Sequence, residues 1–244
     1  MNIKSSVLGL LFGLIISLSA FAADEIAPQD DAQTNKVKFA GGLGVGYNTY
    51  NSTLVSISQY SLVAKFGMNY RNKNLERFSL NLNSFFTALP LNTSPIQIGS
   101  VSDNVSIRYL GVNLRAGYDT PWLTGPWKLQ LNLGWYYNTT FVTNDRFGYV
   151  NANGPQFFPA VEYTIDENSS VGGYLKFSPM SSGFSFLNSS MNYEVATGAY
   201  YMFPGLLFGK YKHTLNFDFA HLSMKPDAVR AFSNSTTIGL GILL

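Results

Sequence analysis

The chain has 244 residues, no cysteine and a formal charge of +2. The missing cysteines exclude disulfides, thiolate metal sites and lipid attachment through an N-terminal Cys. So small a charge argues against nucleic acid as a partner. Charged residues are only 12% and aromatic residues 15%. That charge content is about half the usual share for a soluble domain.

Met1 to Ala22 reads as a secretory signal peptide. It has Lys4 in a short n-region, an apolar stretch from Val7 to about Leu18, and Ala20-Phe21-Ala22 as a small-x-small cleavage site. The run is short for a spanning helix, which needs about 20 residues. Residues 23–35 contain Asp24, Glu25, Asp30 and Asp31 and read as a flexible acidic linker on the periplasmic side. Residues 36–244 form the body of the protein and are mildly basic, without a basic run.

From Lys36 the chain is a series of segments with period-two alternation, separated by Asn, Ser, Gly, Pro and Asp clusters. Expected strands are 36–47, 54–70, 77–89, 104–118, 127–141, 156–165, 170–178, 191–202, 211–222 and 235–244. Tyr60–Tyr70 sets Leu62, Ala64, Phe66 and Met68 against Ser61, Val63, Lys65, Gly67 and Asn69. Trp127–Phe141 places Trp127, Leu129, Leu131, Leu133, Trp135, Tyr137 and Phe141 on one face, with Thr139 the exception, opposite Lys128, Gln130, Asn132, Gly134, Tyr136 and Asn138. In Tyr211–His221, Leu215, Phe217 and Phe219 oppose Lys212, Thr214, Asn216 and Asp218. Gly41-Gly-Leu-Gly-Val-Gly46 lies inside the first segment with no helix after it. It reads as strand-packing glycine, not as a phosphate loop.

A soluble sandwich would need its polar face covered in charge. Here that face is Asn, Ser, Thr, Gly and Tyr, which suits a lumen, and the apolar face then turns to lipid. Aromatics gather at strand ends, with Trp122, Trp127, Phe203, Phe208 and Tyr211 towards one end and Phe86, Tyr137 and Phe141 towards the other. Two interfacial girdles would have that distribution. The expected fold is all-β: a transmembrane antiparallel up-and-down barrel of about ten strands, with eight or twelve left open by the boundaries. Connections are mostly tight on one side and longer on the other, the one after the first strand being a short exception.

The last segment resembles the C-terminal assembly signal of bacterial outer-membrane β-barrel proteins: Thr237, Gly239, Ile242 and Leu244 follow its polar-x-Gly-x-x-apolar-x-apolar order. That family usually ends in an aromatic residue, and this chain ends in Leu244. The resemblance implies residence in the outer membrane after export, in contact with membrane lipid and lipopolysaccharide, and folding by the barrel-assembly machinery. Oligomeric state is left open. If 235–244 closes the barrel, Ile238, Leu240, Ile242 and Leu244 face lipid while Thr237, Gly239 and Gly241 face the lumen.

Parity places Lys65, Arg115, Lys128, Glu162, Lys176, Glu194 and Asp218 in the lumen, with Lys176, Glu194 and Asp218 at similar depth. Those charges are read first as an internal ion-pair network and second as the lining of a narrow pore. Two separated histidines and no cysteine give no metal site, and no cofactor is expected. His221-Leu-Ser223, in the ninth segment and facing lipid by parity, is similar to the His-x-Ser pair of outer-membrane lipid A deacylases. That resemblance implies Ser223 as nucleophile and His221 as base. The family's third member is a Glu on the last strand. Here Ser235–Leu244 has no acid, and Asp227 does not match. Omptin proteases share a ten-stranded plan with an acid-plus-His site, but Asp218 and His221 fall on opposite faces. The leading expectation is a non-enzymatic barrel, either a narrow porin-like channel or a surface-binding or structural barrel; the alternative is a lipid A deacylase-like esterase.

Overall fold

In lipid, a backbone without partners is costly, so a chain of alternating strands is stable there only when its first and last strands meet. The computed structural model describes residues 36–52, 56–98, 101–142, 149–182, 192–205, 211–224 and 231–244. Its strands are β1 (Lys36–Ser52), β2 (Ser56–Arg71), β3 (Phe78–Pro90), β4 (Ser94–Ile98), β5 (Val101–Val105) and β6 (Ile107–Asp119), then β7 (Trp127–Val142), β8 (Tyr149–Thr164), β9 (Ser170–Ser182), β10 (Asn192–Pro204), β11 (Lys212–Met224) and β12 (Ala231–Leu243). Ten of them close an antiparallel barrel in the order β1-β12-β11-β10-β9-β8-β7-β6-β3-β2. β4 and β5 form a separate hairpin.

The hairpin is the one addition to the expected elements; it lies in the segment expected to be a long loop except for residues 104 and 105, which were expected to open the strand that instead begins at Ile107. β8 also begins at Tyr149 and β12 at Ala231, each earlier than expected. Pro155 in β8, and the Ser- and Asn-rich start of β12, hide strand residues whose partners supply the pairing. The expected signal peptide, the linker, Phe208 and Asp227 lie outside the described residues.

Burial follows the alternation. On β6, Ile107, Tyr109, Gly111, Asn113, Arg115 and Gly117 are buried, while Val112 and Leu114 are exposed. Leu133, Leu175, Phe217, Ile238 and Leu240 are likewise exposed on the outside of their strands. An apolar exterior around a polar interior is the membrane arrangement. Aromatic pairs mark both rims. At the end that carries the termini, Phe78 meets Tyr118 at 5.0 Å and Trp127 meets Tyr163 at 4.8 Å. At the other end Tyr47 meets Tyr60 at 5.0 Å. Turns 72–77, 120–126 and 165–169 lie at the terminal end, and the two longest connections between barrel strands, after β3 and after β9, leave from the other; longer loops are external in such barrels, which makes the terminal end periplasmic.

Closure is made by β1 and β12, paired from Ala40↔Leu243 to Ser52↔Ala231. Gly44 sits opposite Gly239, and a Cβ on Gly44 would meet the Ile238 carbonyl at 2.6 Å. Thr237 is buried, and Ile238, Leu240 and Leu244 are exposed. Ile242 departs from the expected lipid exposure and is only 4% exposed. It keeps its outward parity, flanked by Gly41 on β1 and His213 on β11, so its burial comes from its neighbours rather than from a change of face.

Gly44→Ala should weaken this seam by about 1–3 kcal/mol, the range for overpacking a close contact. The folded band of unboiled samples in detergent gels should then disappear at lower urea than in the wild type. An unchanged midpoint would show that the seam tolerates a methyl group.

Candidate functional site

Inward-facing side chains from all ten barrel strands converge on one cavity of about 160 Å³. Among them are Asn48 of β1, Lys65 of β2, Phe85 of β3, Arg115 of β6, Asn138 of β7, Gln156 of β8, Lys176 of β9, Glu194 of β10, Asp218 of β11 and Ser235 of β12. A barrel of this size is largely filled by side chains, so what matters is how they are tied together.

Two ion pairs cross the chamber. Lys65 pairs with Asp218, spanning β1 and β12 where those strands present Gly42, Gly44, Gly239 and Gly241 inward. The Tyr174 hydroxyl donates to the other Asp218 oxygen at 2.6 Å, lying over Gly198, whose Cβ would stand 2.8 Å from Asp218 Oδ1. Glycine on these inner faces gives the longer side chains room to reach across a strand. Lys176 pairs with Glu194 at 2.6 Å, and its ammonium sits 3.4 Å from the centroid of the Tyr136 ring. Asn138 Nδ2 donates to Glu194 at 3.3 Å and to the Tyr136 hydroxyl at 3.0 Å.

Asp218, expected at a depth similar to that of Lys176 and Glu194, stands opposite Gly198 and in reach of Tyr174. Glu162 accepts a bond from Tyr200 at 2.7 Å and lies across the ladder from Lys128. Arg115 is buried, its guanidinium 3.9 Å from the centroid of Phe158, whose other neighbour is the stacked Tyr174 ring at 4.6 Å. Tyr109, Tyr174 and Tyr200 were not singled out from the sequence, and Tyr136 only as part of the polar face of its strand. Their signal was inward parity on segments whose neighbours carry inward glycine, but it needs the register to be seen. Arg71 and Asp119 form a further pair at 2.6 Å near the periplasmic end.

The outer mouth has a different chemistry. Ile57, Val105, Ile107 and Tyr109 form one buried apolar cluster, and Tyr136, Ala152, Met180, Leu222 and Met224 form a second, with Phe85 packed against both. The Gln59 amide pins the corner before β6: Nε2 donates to the Ile107 carbonyl at 2.6 Å and Oε1 accepts from its N–H at 2.8 Å. Tyr109 and Ser233 share a hydrogen bond at 2.6 Å, from β6 across to β12.

His221 and Ser223 sit on outward-parity positions of β11. His221 Nδ1 is 2.7 Å from Asn234 Oδ1, and Asn234 Nδ2 donates to Thr49 at 3.3 Å. The imidazole stacks on Phe232 at 5.9 Å, and Tyr193 lies at 6.1 Å. Ser223 is buried, and among the described residues no hydrogen bond joins it to His221. The imidazole is therefore held by an amide rather than a carboxylate. Among the described residues no group of three or more His, Asp or Glu is placed to hold a metal ion.

Breaking the Lys176–Glu194 pair from one side leaves a charge uncompensated in a buried site. Lys176→Met alone should cost about 3–5 kcal/mol, whereas Lys176→Met with Glu194→Gln should recover most of that loss. Urea unfolding of both variants checks this; equal losses in the two would mean that the pair is not coupled.

No protein-family model matches the sequence, and no curated protein matches it. Among solved structures, the outer-membrane protease OmpT from Escherichia coli matches with a TM-score of 0.55 and 10% identity, covering 91% of this chain and 100% of that one. The translocator domain of the autotransporter NalP from Neisseria meningitidis gives a TM-score of 0.46 at 8% identity, covering 98% and 96%. OprG from Pseudomonas aeruginosa gives 0.38 at 12% identity, covering 88% and 99%. The OmpT likeness carries the fold, and the apolar exterior with its two aromatic rims carries the environment. The chain is an integral ten-stranded β-barrel of the bacterial outer-membrane type.

Proposed function

We propose that this protein is a narrow, gated porin-like barrel, non-enzymatic, with a polar chamber shut from the outside by the corner Val105–Tyr109. The observation that carries this reading is the apolar plug over a charged chamber, clamped by Gln59 on Ile107 and by Tyr109 on Ser233. A dry constriction stops ions by dewetting, while a wet, ion-paired chamber below it holds solvent. Such a plug opens when a few hydrogen bonds release, without unzipping the barrel ladder. In this reading the outer girdle contacts lipopolysaccharide. Thr237, Gly239, Ile242 and Leu244 serve as the signal read by the barrel-assembly machinery.

In planar bilayers the wild type should give rare, small conductance steps. Ile57→Ser together with Ile107→Ser should raise the open fraction by wetting the plug. Silence in both would remove the channel and leave a surface-binding or structural barrel. The esterase reading has its own check. Ser223→Ala should leave the acylation pattern of lipid A, measured by mass analysis of expressing cells, the same as with the wild type; a difference would restore that reading.

A further inference from the structure

The wall between β8 and β9 is joined differently from the rest of the barrel. Its ladder pairs Asn153 with Ser181, Phe157 with Phe177, and Ala160 with Tyr174 and onward, but skips 154–156 and 158–159. Among the described residues every other barrel ladder runs without skipped pairs, apart from one bulge between Leu62 and Val63. The cause is three prolines. Alternate residues of a strand send their N–H and C=O groups to opposite neighbours. The ladder with β7 runs unbroken past Pro155 and Pro159, and the ladder with β10 runs unbroken past Pro179, so all three belong to the β8–β9 seam. In the register of Phe157↔Phe177, Pro155 stands opposite Pro179 and Pro159 opposite Leu175. The first of these rungs has no N–H to give, and the second has only that of Leu175.

Side chains do not make up the loss. In the same register Gln156 stands opposite Ser178, and the Gln156 amide and the Ser178 hydroxyl are buried without hydrogen-bond partners. The backbones close the gap by contact, since a Cβ on Gly154 would strike the Pro179 carbonyl. On the outside this wall is apolar, with Pro155, Phe157, Leu175 and Phe177 exposed. On the inside Gln156, Phe158, Tyr174 and Lys176 line the chamber, with the Arg115 guanidinium against the Phe158 ring. Pro155 stands eight residues beyond Tyr163 of the periplasmic rim, and a spanning strand takes about 9–11 residues, so the gap lies towards the outer leaflet. Missing ladder bonds are costly in hydrocarbon, and prolines are normally kept out of central strands. We propose that the β8–β9 wall is a lateral portal, through which a small amphiphile dissolved in the outer leaflet reaches the chamber. Its apolar body matches the wall, and its polar end is received among Lys65, Arg115, Lys176, Glu194 and Asp218. The inference goes beyond the channel reading, because this route bypasses the apolar plug and needs no conduction.

The test exploits the absence of cysteine. Ala196→Cys puts a single thiol on the chamber wall, on β10 and so one strand away from the seam. The full chain, folded into phosphatidylcholine vesicles, is treated with maleimidoundecanoic acid, which dissolves in the bilayer, or with maleimidopropionic acid, which stays in water. The two reagents share an acid and a reactive group and differ in apolar length. The long one should label the thiol faster. Pro155→Val with Pro179→Val supplies both missing N–H groups. It should slow the long reagent about tenfold or more, as one or two restored hydrogen bonds imply, and leave the short one unchanged. Valine suits a strand, so the same double variant should unfold at higher urea and remain folded for the measurement. A long reagent no faster than the short one overturns the proposal, and so does a rate that ignores the two substitutions. Bilayer recording keeps the two readings apart: a barrel that conducts, with labelling indifferent to the prolines, retains the channel and loses the portal. A silent barrel with proline-dependent labelling does the reverse.

Discussion

Everything in this molecule depends on the pairing of β1 with β12. In a hydrocarbon environment each unpaired backbone N–H or C=O costs several kcal/mol, so an open sheet edge along either strand would be prohibitive. The seam is made by strands rich in glycine, with Gly42 opposite Gly241 and Gly44 opposite Gly239, and the backbones come close enough that a methyl group at Gly44 would strike a carbonyl. The same absence of side chains clears the inner surface over the seam. Lys65 of β2 and Asp218 of β11 meet across it, so a charge pair ties together the strands on either side of the closure.

This coupling of small and large recurs around the interior. Tyr174 lies over Gly198 to reach Asp218, and Tyr200 lies over Gly172 to reach Glu162. Each inward glycine trades its own packing for a bond between strands that are not ladder neighbours. The interior is thereby divided along its axis. Charges and amides occupy the middle and the periplasmic end, and aliphatic side chains with methionine fill the outer end. Polar groups in the middle are affordable where they satisfy one another, as Lys65 does with Asp218 and Lys176 with Glu194.

The barrel was legible in the sequence because lipid and lumen impose opposite chemistry on alternate residues, and the Trp127–Phe141 and Tyr211–His221 segments carry that alternation plainly. β8 was read short because Pro155 interrupts its pattern, although β7 pairs with it from Tyr149 to Tyr163. The β4–β5 hairpin was missed because its residues, Ser94-Pro-Ile-Gln-Ile98 and Val101-Ser-Asp-Asn-Val105, carry turn-like composition. Parity gave the inward face of Lys65, Lys176, Glu194 and Asp218, but not which charge meets which. Partner choice depends on the stagger between strands, which a single sequence does not state.

By itself, then, the sequence determined the class of fold, the faces of its strands and the lipid environment, because composition and period two follow directly from burial in a bilayer. Only the tertiary structure decided the ion pairs and the apolar clusters at the outer mouth. Those follow from shear and closure, which bring together residues as distant in sequence as Lys65 and Asp218, or Tyr109 and Ser233, across glycines whose role is to take up no space.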